Sequence, residues 1–162
     1  AKHFFAADFQ LIEKITDPKK LAKLMRDLEY KFSEENGKYG HVGAKINVDA
    51  FLRAWSDQRL LNFNLHVWAN IENEYYDSCI MFQGIENALL GEKLWQEYFW
   101  VSKNPRMGVK LFNTAINFAR KLNYQRFVMG TVENYPNSKS VRSFYEKIGM
   151  KKDSELWIGT LA

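Results

Sequence analysis

The sequence has almost no cysteine and no long apolar run. Cys79 is the one cysteine among 162 residues, so an internal disulfide is excluded and we expect a reducing, cytoplasmic location. No apolar run approaches the length of a membrane span, so we expect no membrane segment. These two absences favour a chain that folds by packing a core in water.

Metal-ligand and nucleophile motifs are also missing. His3 and His66 have no cysteines or carboxylates at ligand spacing, so we expect no metal. No Ser-His-Asp arrangement and no Walker-type loop occurs. Cys79 lies in an apolar, strand-like segment, which predicts an inert thiol.

The composition is that of one globular α/β domain, which we expect to span residues 1–162. Hydrophobic residues make up 46% and aromatic residues 15%, enough for a packed core. The net charge of +4 favours an anionic ligand. The basic residues form no stripe interleaved with aromatics, so we rank nucleic-acid binding last among the functions considered.

The first third of the chain predicts one strand and two helices. Phe9–Ile15 is typical of a short strand, and Asp17 followed by Pro18 is typical of a helix start. Gly37 is expected to end that helix in a left-handed conformation. Asn36–Lys45, which contains three glycines, is expected to be a loop before a second helix capped by Asn47.

Three strands and a helix–strand–helix–strand tail are expected to follow. The predicted strands of the tail and meander are Leu61–Ala69, Tyr76–Ile85, Lys93–Val101, Arg126–Val132 and Glu155–Leu161. The first tail helix ends near Leu122, with Leu111, Ala115, Phe118, Ala119 and Leu122 on its apolar side. The resulting order, β-α-α-β-β-β-α-β-α-β, predicts a mixed sheet that begins as an antiparallel meander and ends with parallel connections.

The junction after Val101 is the first candidate functional segment. A strand ends there and a helix begins within a few residues, with Asn104 as its cap and Pro105 in its first turn. Unpaired N–H groups and the helix dipole make such a start an anion site. Lys103, Arg106 and Lys110 add positive charge. A diphosphate would fit this junction, and an ordinary strand–helix connection with solvated lysines explains it equally well.

The second candidate segment is the helix between Asn137 and Gly149. Asn137 is the expected cap, Gly149 the expected end, and Val141, Phe144, Tyr145 and Ile148 the expected inner face. Tyr145 is either a core aromatic whose hydroxyl finds a partner or a proton donor.

These two segments together resemble the GNAT N-acetyltransferase superfamily. Its pattern is a hydrophobic strand ending in valine, a loop of the form Gln/Arg-x-x-Gly-x-Gly/Ala, a helix, and later a Tyr-x-x-x-Gly-Phe ending. Here the strand is Trp95–Val101, the loop and helix start are Lys103–Leu111, and the ending is Tyr145–Met150. The resemblance covers residues 93–150 by motif and residues 1–92 by element order alone.

The loop departs from the family pattern by one glycine. Counted back from Leu111, Gly108 takes the last glycine position, Arg106 replaces the first glycine, and Lys103 stands at the Gln/Arg position. Counted forward from Val101, Arg106 takes the arginine position and the loop is shortened. Either alignment leaves open which backbone amides would meet the diphosphate of the coenzyme.

The resemblance implies a direct attack of an amine on acetyl-CoA, with no metal. It implies that the pantetheine arm lies between strands 93–101 and 126–132, which splay apart. Tyr145 would act as general acid, and Glu97 is the candidate general base, although an edge carboxylate paired with Lys93 or a neighbouring strand is an equally good interpretation. The residues expected to contact the coenzyme are Val101, Lys103, Arg106, Met107, Gly108, Val109, Lys110 and Asn137.

The acceptor is a small-molecule or protein amine that the sequence does not identify. A non-catalytic CoA-binding or protein-interaction module with the same fold is the alternative function. Fold analogy adds a homodimer, in which an exposed final strand would pair with its copy.

Overall fold

The computed structural model of the chain describes residues 12–39, 47–56, 64–131, 138–154 and 161, with the backbone alone for 30–39 and 54–56. Contacts divide the chain into two compact units. The first unit is 1–32 with 47–129, and the second is 33–46 with 130–162. The prediction of a single domain over the whole chain stays a prediction. None of the described helices is long and apolar enough to cross a membrane.

Strand β1, Glu13–Ile15, leads into helix α1, Pro18–Tyr39. The residues 9–11 that begin the predicted strand lie outside the described part of the chain. Asp17 Oδ1 accepts the Lys19 N–H at 2.9 Å, so the predicted helix start is confirmed. The prediction that Gly37 ends the helix is wrong. A glycine inside a helix costs only about 1 kcal/mol, and α1 continues past Gly37 to Tyr39.

Helix α2, Val48–Ser56, begins where the sequence predicts. Asn47 Oδ1 accepts the N–H of Ala50 at 2.9 Å, which is the expected cap. The loop predicted for Asn36–Lys45 is wrong over its first four residues, which belong to α1. Its remainder, 40–45, lies outside the described residues.

The described strands form one sheet in the order β1-β2-β3-β4-β5. The remaining strands are β2 (Leu65–Glu72), β3 (Tyr75–Asn87), β4 (Glu92–Val101) and β5 (Arg126–Val128). Strands β1 to β4 pair antiparallel, and β4 pairs parallel with β5. The predicted meander followed by a parallel connection is therefore confirmed.

Several strand boundaries differ from the sequence prediction, most of all those of β2, which extends to Glu72, and of β5. Asn64 has a φ of 48°, a left-handed conformation that keeps it out of the ladder, and β2 begins at Leu65. Residues 61–63 of the predicted strand lie outside the described ranges. β5 ends at Val128, four residues before the predicted Val132, and residues 129–131 have left the ladder.

The two faces of the sheet differ in character. One face packs on α1 and the start of α2 through aliphatic side chains such as Leu21, Leu24 and Val67, all fully buried. The other face carries rings: Trp95 stacks on Phe82 with centroids 5.3 Å apart and meets Phe118 of the following helix at 6.1 Å. Both faces are thus covered, which explains why consecutive residues are buried in the middle of β2 (67–70) and of β3 (78–82).

Helix α3, Pro105–Lys121, covers the aromatic face. Its buried residues recur at helical spacing: Met107, Gly108, Leu111, Phe112, Ala115, Ile116 and Ala119. The prediction of Leu122 on the inner side is wrong. It is the C-cap residue and 41% exposed, because the chain leaves the helical path there.

Helix α4, Ser138–Lys147, lies in the second unit. It ends at Gly149, whose φ is 87°, with the Met150 N–H bonded to the Tyr145 carbonyl at 2.9 Å. This confirms the glycine stop. No residue of α4 is buried, and Ile148 is 41% exposed, so the prediction of Ile148 as an inner residue is wrong.

Two predicted features of the second unit lie outside the described residues. Asn137, the expected cap of α4, is one of them. The predicted final strand is the other, since Leu161 is the one described residue of Glu155–Leu161. The homodimer expected from pairing of that strand stays a prediction.

Candidate functional site

Strand β4 contains a β-bulge at its centre. Phe82 of β3 lies opposite Glu97, whereas its neighbour Met81 lies opposite Phe99. Tyr98 is therefore the extra residue, and it is 49% exposed. Bulges bend a strand and redirect its side chains, and they are common beside functional sites.

The bulge changes which face Glu97 occupies. Residues directly opposite in an antiparallel pair share a face, so Glu97 lies with Phe82 and Trp95 on the α3 side. Phe99 and Val101 instead pack on the aliphatic core of the opposite face. Regular alternation along β4 would place Glu97 on the same face as Phe99 and Val101, and the extra residue at Tyr98 reverses that alternation.

Pairing between β4 and β5 ends next to the bulge. The parallel register joins Leu94, Trp95 and Gln96 to residues 126–128 and stops there. β4 continues from Glu97 to Val101, beyond the last of these pairs. The ladder between β4 and β5 therefore covers only part of β4 and ends at Gln96, the residue before Glu97.

Three residues separate the end of β4 at Val101 from the start of α3 at Pro105. Asn104 is its N-cap, and its Oδ1 accepts the Met107 N–H at 2.8 Å. The Gly108 N–H donates to the Asn104 carbonyl at 3.1 Å, and Pro105 has no N–H to offer. An anion that binds the Met107 amide must consequently displace the Asn104 side chain, which is the exchange of one acceptor for another.

Gly108 is required by a close internal contact. A Cβ at this position would lie 2.8 Å from the Ser102 Oγ and 3.5 Å from the Trp100 ring. The Ser102 hydroxyl also donates to the Asn104 carbonyl at 2.8 Å. In the structure the side chain that closely approaches Gly108 is that of Ser102.

Lys103 is bound at both ends to the hairpin formed by β2 and β3. Its backbone N–H donates to Ser78 Oγ at 2.8 Å. Its ammonium lies 2.5 Å from Glu72 Oε2 and 3.8 Å from Asp77 Oδ2. The hydrogen bond to Glu72, supported by the charge of Asp77, raises the pKa of Lys103, so it remains a cation at any physiological pH.

The other described residues that we expect to contact the coenzyme lie along the same junction, and Asn137 is outside the described residues. Met107 is buried, Lys110 is half-buried, and Arg106 and Val109 are exposed. The structure thus brings the Val101–Lys110 segment together with Glu97 in the first unit.

Tyr145 lies in the second unit, half-buried on α4. Its hydroxyl donates to the carbonyl oxygen of Gly130 at 2.8 Å. Both residues belong to the same unit, so this bond fixes the ring relative to the chain just beyond β5. A phenol that already donates its proton to a carbonyl must release that bond before it can donate to another acceptor.

Trp68 and His66 both contact the ring of Phe118 on the aromatic face of the sheet. Trp68 is 4% exposed, with its ring 5.2 Å from that of Phe118, so it belongs to the aromatic face of the sheet. His66 contacts the same cluster, and burial, followed by the charge of Lys14, lowers its pKa to about 4. His66 is therefore neutral near pH 7.

Cys79 is fully buried, and burial raises the pKa of its thiol, in agreement with the expected inert cysteine. Among the described residues, no three His, Cys, Asp or Glu side chains converge in a way that could hold a metal ion. The absence of a metal from the reaction remains an expectation.

Sequence reasoning missed Glu72, Asp77 and Ser78 as neighbours of the candidate site. They lie on another strand pair, and no local pattern links them to Lys103. The sequence signal that could have indicated where β2 and β3 join is the polar pair Asn73-Glu74. In the structure this pair forms the turn, and both residues have a positive φ.

No family model matches the chain, and no curated protein matches it. Solved structures do. An aminoglycoside acetyltransferase from an uncultured soil metagenomic sample, in complex with sisomicin, superposes with a TM-score of 0.68 at 13% identity, covering 96% of this chain and 99% of that one.

Two other acetyltransferases superpose over similar lengths. A ribosomal-protein-alanine N-acetyltransferase from Brucella melitensis biovar Abortus 2308 gives a TM-score of 0.64 at 10% identity, covering 93% and 99% of the two chains. A predicted acetyltransferase with acetyl-CoA from Clostridium acetobutylicum gives 0.64 at 16% identity, covering 93% and 96%. The chain therefore has the fold of the GNAT acetyltransferases, as the resemblance in its sequence predicts.

Proposed function

We propose that the protein transfers the acetyl group of acetyl-CoA to a primary amine. The observation that carries this proposal is the end of the ladder between β4 and β5 after Gln96, beyond which β4 continues through Glu97 towards the start of α3. In this arrangement the thioester carbonyl would meet backbone N–H groups of β4, and the diphosphate would meet those at the helix start. The fold supports the same activity, because structural neighbours of the chain are acetyltransferases.

The diphosphate of acetyl-CoA would bind the start of α3. Arg106, Val109 and Lys110 present exposed or half-exposed groups there, and Met107 offers its N–H once Asn104 moves away. Val101 and Gly108 shape the turn between strand and helix. Asn137 is the further residue that we assign to coenzyme contact, on the resemblance alone.

The reaction requires two proton movements. The amine nitrogen attacks the thioester carbonyl, the C–S bond breaks, the amide product loses one proton, and the departing thiolate gains one. We assign the removal to Glu97, just beyond the last pair between β4 and β5, and, on the resemblance alone, the delivery to Tyr145. The N–H groups of β4 beyond Gln96 would stabilise the oxyanion that forms during attack.

The acceptor stays open between a small-molecule amine and a protein amine. One structural neighbour is an aminoglycoside acetyltransferase in complex with sisomicin, and another is a ribosomal-protein-alanine N-acetyltransferase. Both acceptor classes are thus found on this fold, so both belong in the substrate panel.

A non-catalytic CoA-binding or protein-interaction module with the same fold is the second candidate function. Three contacts favour it: the Asn104 cap on Met107, the Lys103 pair with Glu72, and the Tyr145 bond to Gly130. In each contact a protein group already occupies a donor that the reaction or the coenzyme would otherwise use.

Release of free CoA from acetyl-CoA in the presence of a panel of amines separates the two functions. The panel needs aminoglycosides, polyamines and peptides with free N-termini. An acetyltransferase releases CoA with at least one amine and yields the acetylated product by mass spectrometry. Binding of CoA without release under every acceptor would instead support the non-catalytic module.

Glu97→Gln tests the proposed general base. If Glu97 removes the proton, the variant loses about two orders of magnitude in kcat/KM and the acidic limb of its pH–rate profile changes. An unaltered rate and profile would assign Glu97 to the alternative interpretation, a carboxylate that pairs within the sheet.

A further inference from the structure

The loop between β4 and α3 is tied to the β2–β3 hairpin by a polar network in the first unit. Two of its members are fully buried: Asn70 and Ser78 are each 0% exposed. Ser78 accepts the backbone N–H of Lys103 at 2.8 Å. The network, which we call the hairpin clamp, consists of Asn70, Glu72, Asp77, Ser78 and Lys103.

Two carboxylates of the clamp, those of Glu72 and Asp77, face the ammonium of Lys103. Asn70 Nδ2 donates to Asp77 Oδ1 at 3.0 Å, which orients that carboxylate from the interior. Asp77 Oδ2 and Glu72 Oε2 then face the Lys103 ammonium at 3.8 and 2.5 Å. The Lys103 side chain is only 25% exposed, so these contacts are partly shielded from water. A buried polar network with bonds of this kind fixes one conformation of the backbone that it joins.

The charges of the clamp do not favour an additional anion at Lys103. One ammonium faces two carboxylates, so the ammonium is already balanced by its protein partners. A diphosphate approaching Lys103 would have to compete with both carboxylates and would meet their repulsion.

We propose that Lys103 acts as a positioning residue, and that the hairpin clamp presets the start of α3 for the diphosphate of acetyl-CoA. This inference rests on the proposed function. Lys103 directly precedes Asn104, the N-cap residue of α3, so fixing its N–H and its ammonium fixes the backbone that leads into the first amides of the helix. A preordered loop loses less conformational entropy when its ligand binds.

Removal of one carboxylate distinguishes this role from direct phosphate contact, because the two roles predict opposite signs. In Glu72→Gln a positioning Lys103 loses its anchor, and the affinity for CoA falls by about tenfold. A Lys103 that binds phosphate directly would instead be released from its partner, and CoA would bind more tightly. Isothermal titration of the full chain with CoA measures either result.

Glu74→Gln is the matched control. It removes the same charge from the same hairpin, and Glu74 is exposed in the turn between β2 and β3 rather than part of the clamp. We expect its affinity for CoA to equal that of the wild type. A loss of CoA affinity as large as that of Glu72→Gln would show that the change in net charge causes the effect, and it would overturn the clamp.

Lys103→Met and Lys103→Arg complete the test. Arginine can reach both carboxylates and should restore most of the affinity that methionine loses. Hydrogen exchange of the ligand-free protein gives an independent readout: the Lys103 amide should exchange faster in Glu72→Gln and at the wild-type rate in Glu74→Gln.

Failure of the clamp and failure of the proposed function give different results. If wild-type protein binds CoA and Glu72→Gln binds it equally well or better, the clamp is overturned and the proposed function stands. If wild-type protein binds no CoA, the proposed function is overturned, and the positioning role falls with it.

Discussion

Helix α3 buries a full face of side chains from Met107 to Ala119, whereas helix α4 buries none. α3 is also fixed at its start by the Asn104 cap and by the hairpin clamp. α4 is fixed by the Gly149 turn and by the bond from Tyr145 to Gly130. Residues on α3 therefore contribute to stability as well as to function, while those on α4 can affect function with little effect on stability.

Tyr145→Phe should give the largest loss of activity among the variants, with little loss of stability, and so show the difference between the two helices most clearly. If Tyr145 protonates the thiolate, kcat falls by roughly 10²- to 10⁴-fold. The free energy of unfolding should change by only about 1 kcal/mol, for one lost hydrogen bond. Steady-state CoA release and urea denaturation measure the two quantities.

Tyr124→Phe is the control for that experiment. The Tyr124 hydroxyl is also hydrogen-bonded, to Asn64 Nδ2 at 3.0 Å, but Tyr124 has no proposed part in the reaction. It should show a similar loss of stability with normal kcat. Equal rates in Tyr145→Phe and wild type would remove Tyr145 as the acid.

Leu111→Ala should produce the largest loss of stability. Leu111 is 0% exposed on the inner face of α3, and truncation of such a leucine costs about 2–5 kcal/mol. Val141→Ala on α4, where the side chain is half-buried, should cost less than about 1 kcal/mol. Urea denaturation of both variants checks the pair, and similar losses would contradict the difference between the helices.

Gly108→Ala should destabilise the start of α3 by about 1–3 kcal/mol. The new methyl group would lie 2.8 Å from Ser102 Oγ, so Ser102 must move and give up its bond to the Asn104 carbonyl. Gly130→Ala, where a Cβ meets nothing within 4 Å, is the control and should be close to neutral. If Ser102→Ala relieves much of the Gly108→Ala effect in the double variant, the contact is confirmed.

Acid should weaken the first unit through His66, with a smaller effect. Its pKa in the folded protein, about 4, lies below the ordinary value of 6.5. The unfolded chain therefore takes up the proton first, and stability falls as pH decreases from about 6.5 to about 4. Thermal denaturation across this range should show a shallower decline in His66→Phe, and an unchanged slope would exclude His66 as the cause.

Much of the fold could be predicted from the sequence because its signals are local. The caps at Asn47 and Asn104, the stop at Gly149 and the apolar period of α3 each depend on residues within one or two turns. The failure at Gly37 has a physical reason as well. A glycine lowers helix stability only modestly, so neighbouring residues decide whether the helix continues.

The candidate site was less predictable because its geometry depends on pairing between distant segments. The bulge at Tyr98 is a mismatch between β3 and β4, and no alternation within β4 reveals it. The partners of Lys103 come from the β2–β3 hairpin, and they lie 25 or more residues away along the chain. Sequence reasoning therefore found the segment that we assign to the coenzyme and missed what holds it.

Thermal denaturation with and without acetyl-CoA tests the central claim most directly. If acetyl-CoA binds the folded chain at the junction of β4 and α3, a concentration of 100 times its Kd adds about 2.7 kcal/mol to the free energy of unfolding and raises Tm. An identical Tm at millimolar acetyl-CoA would contradict the account.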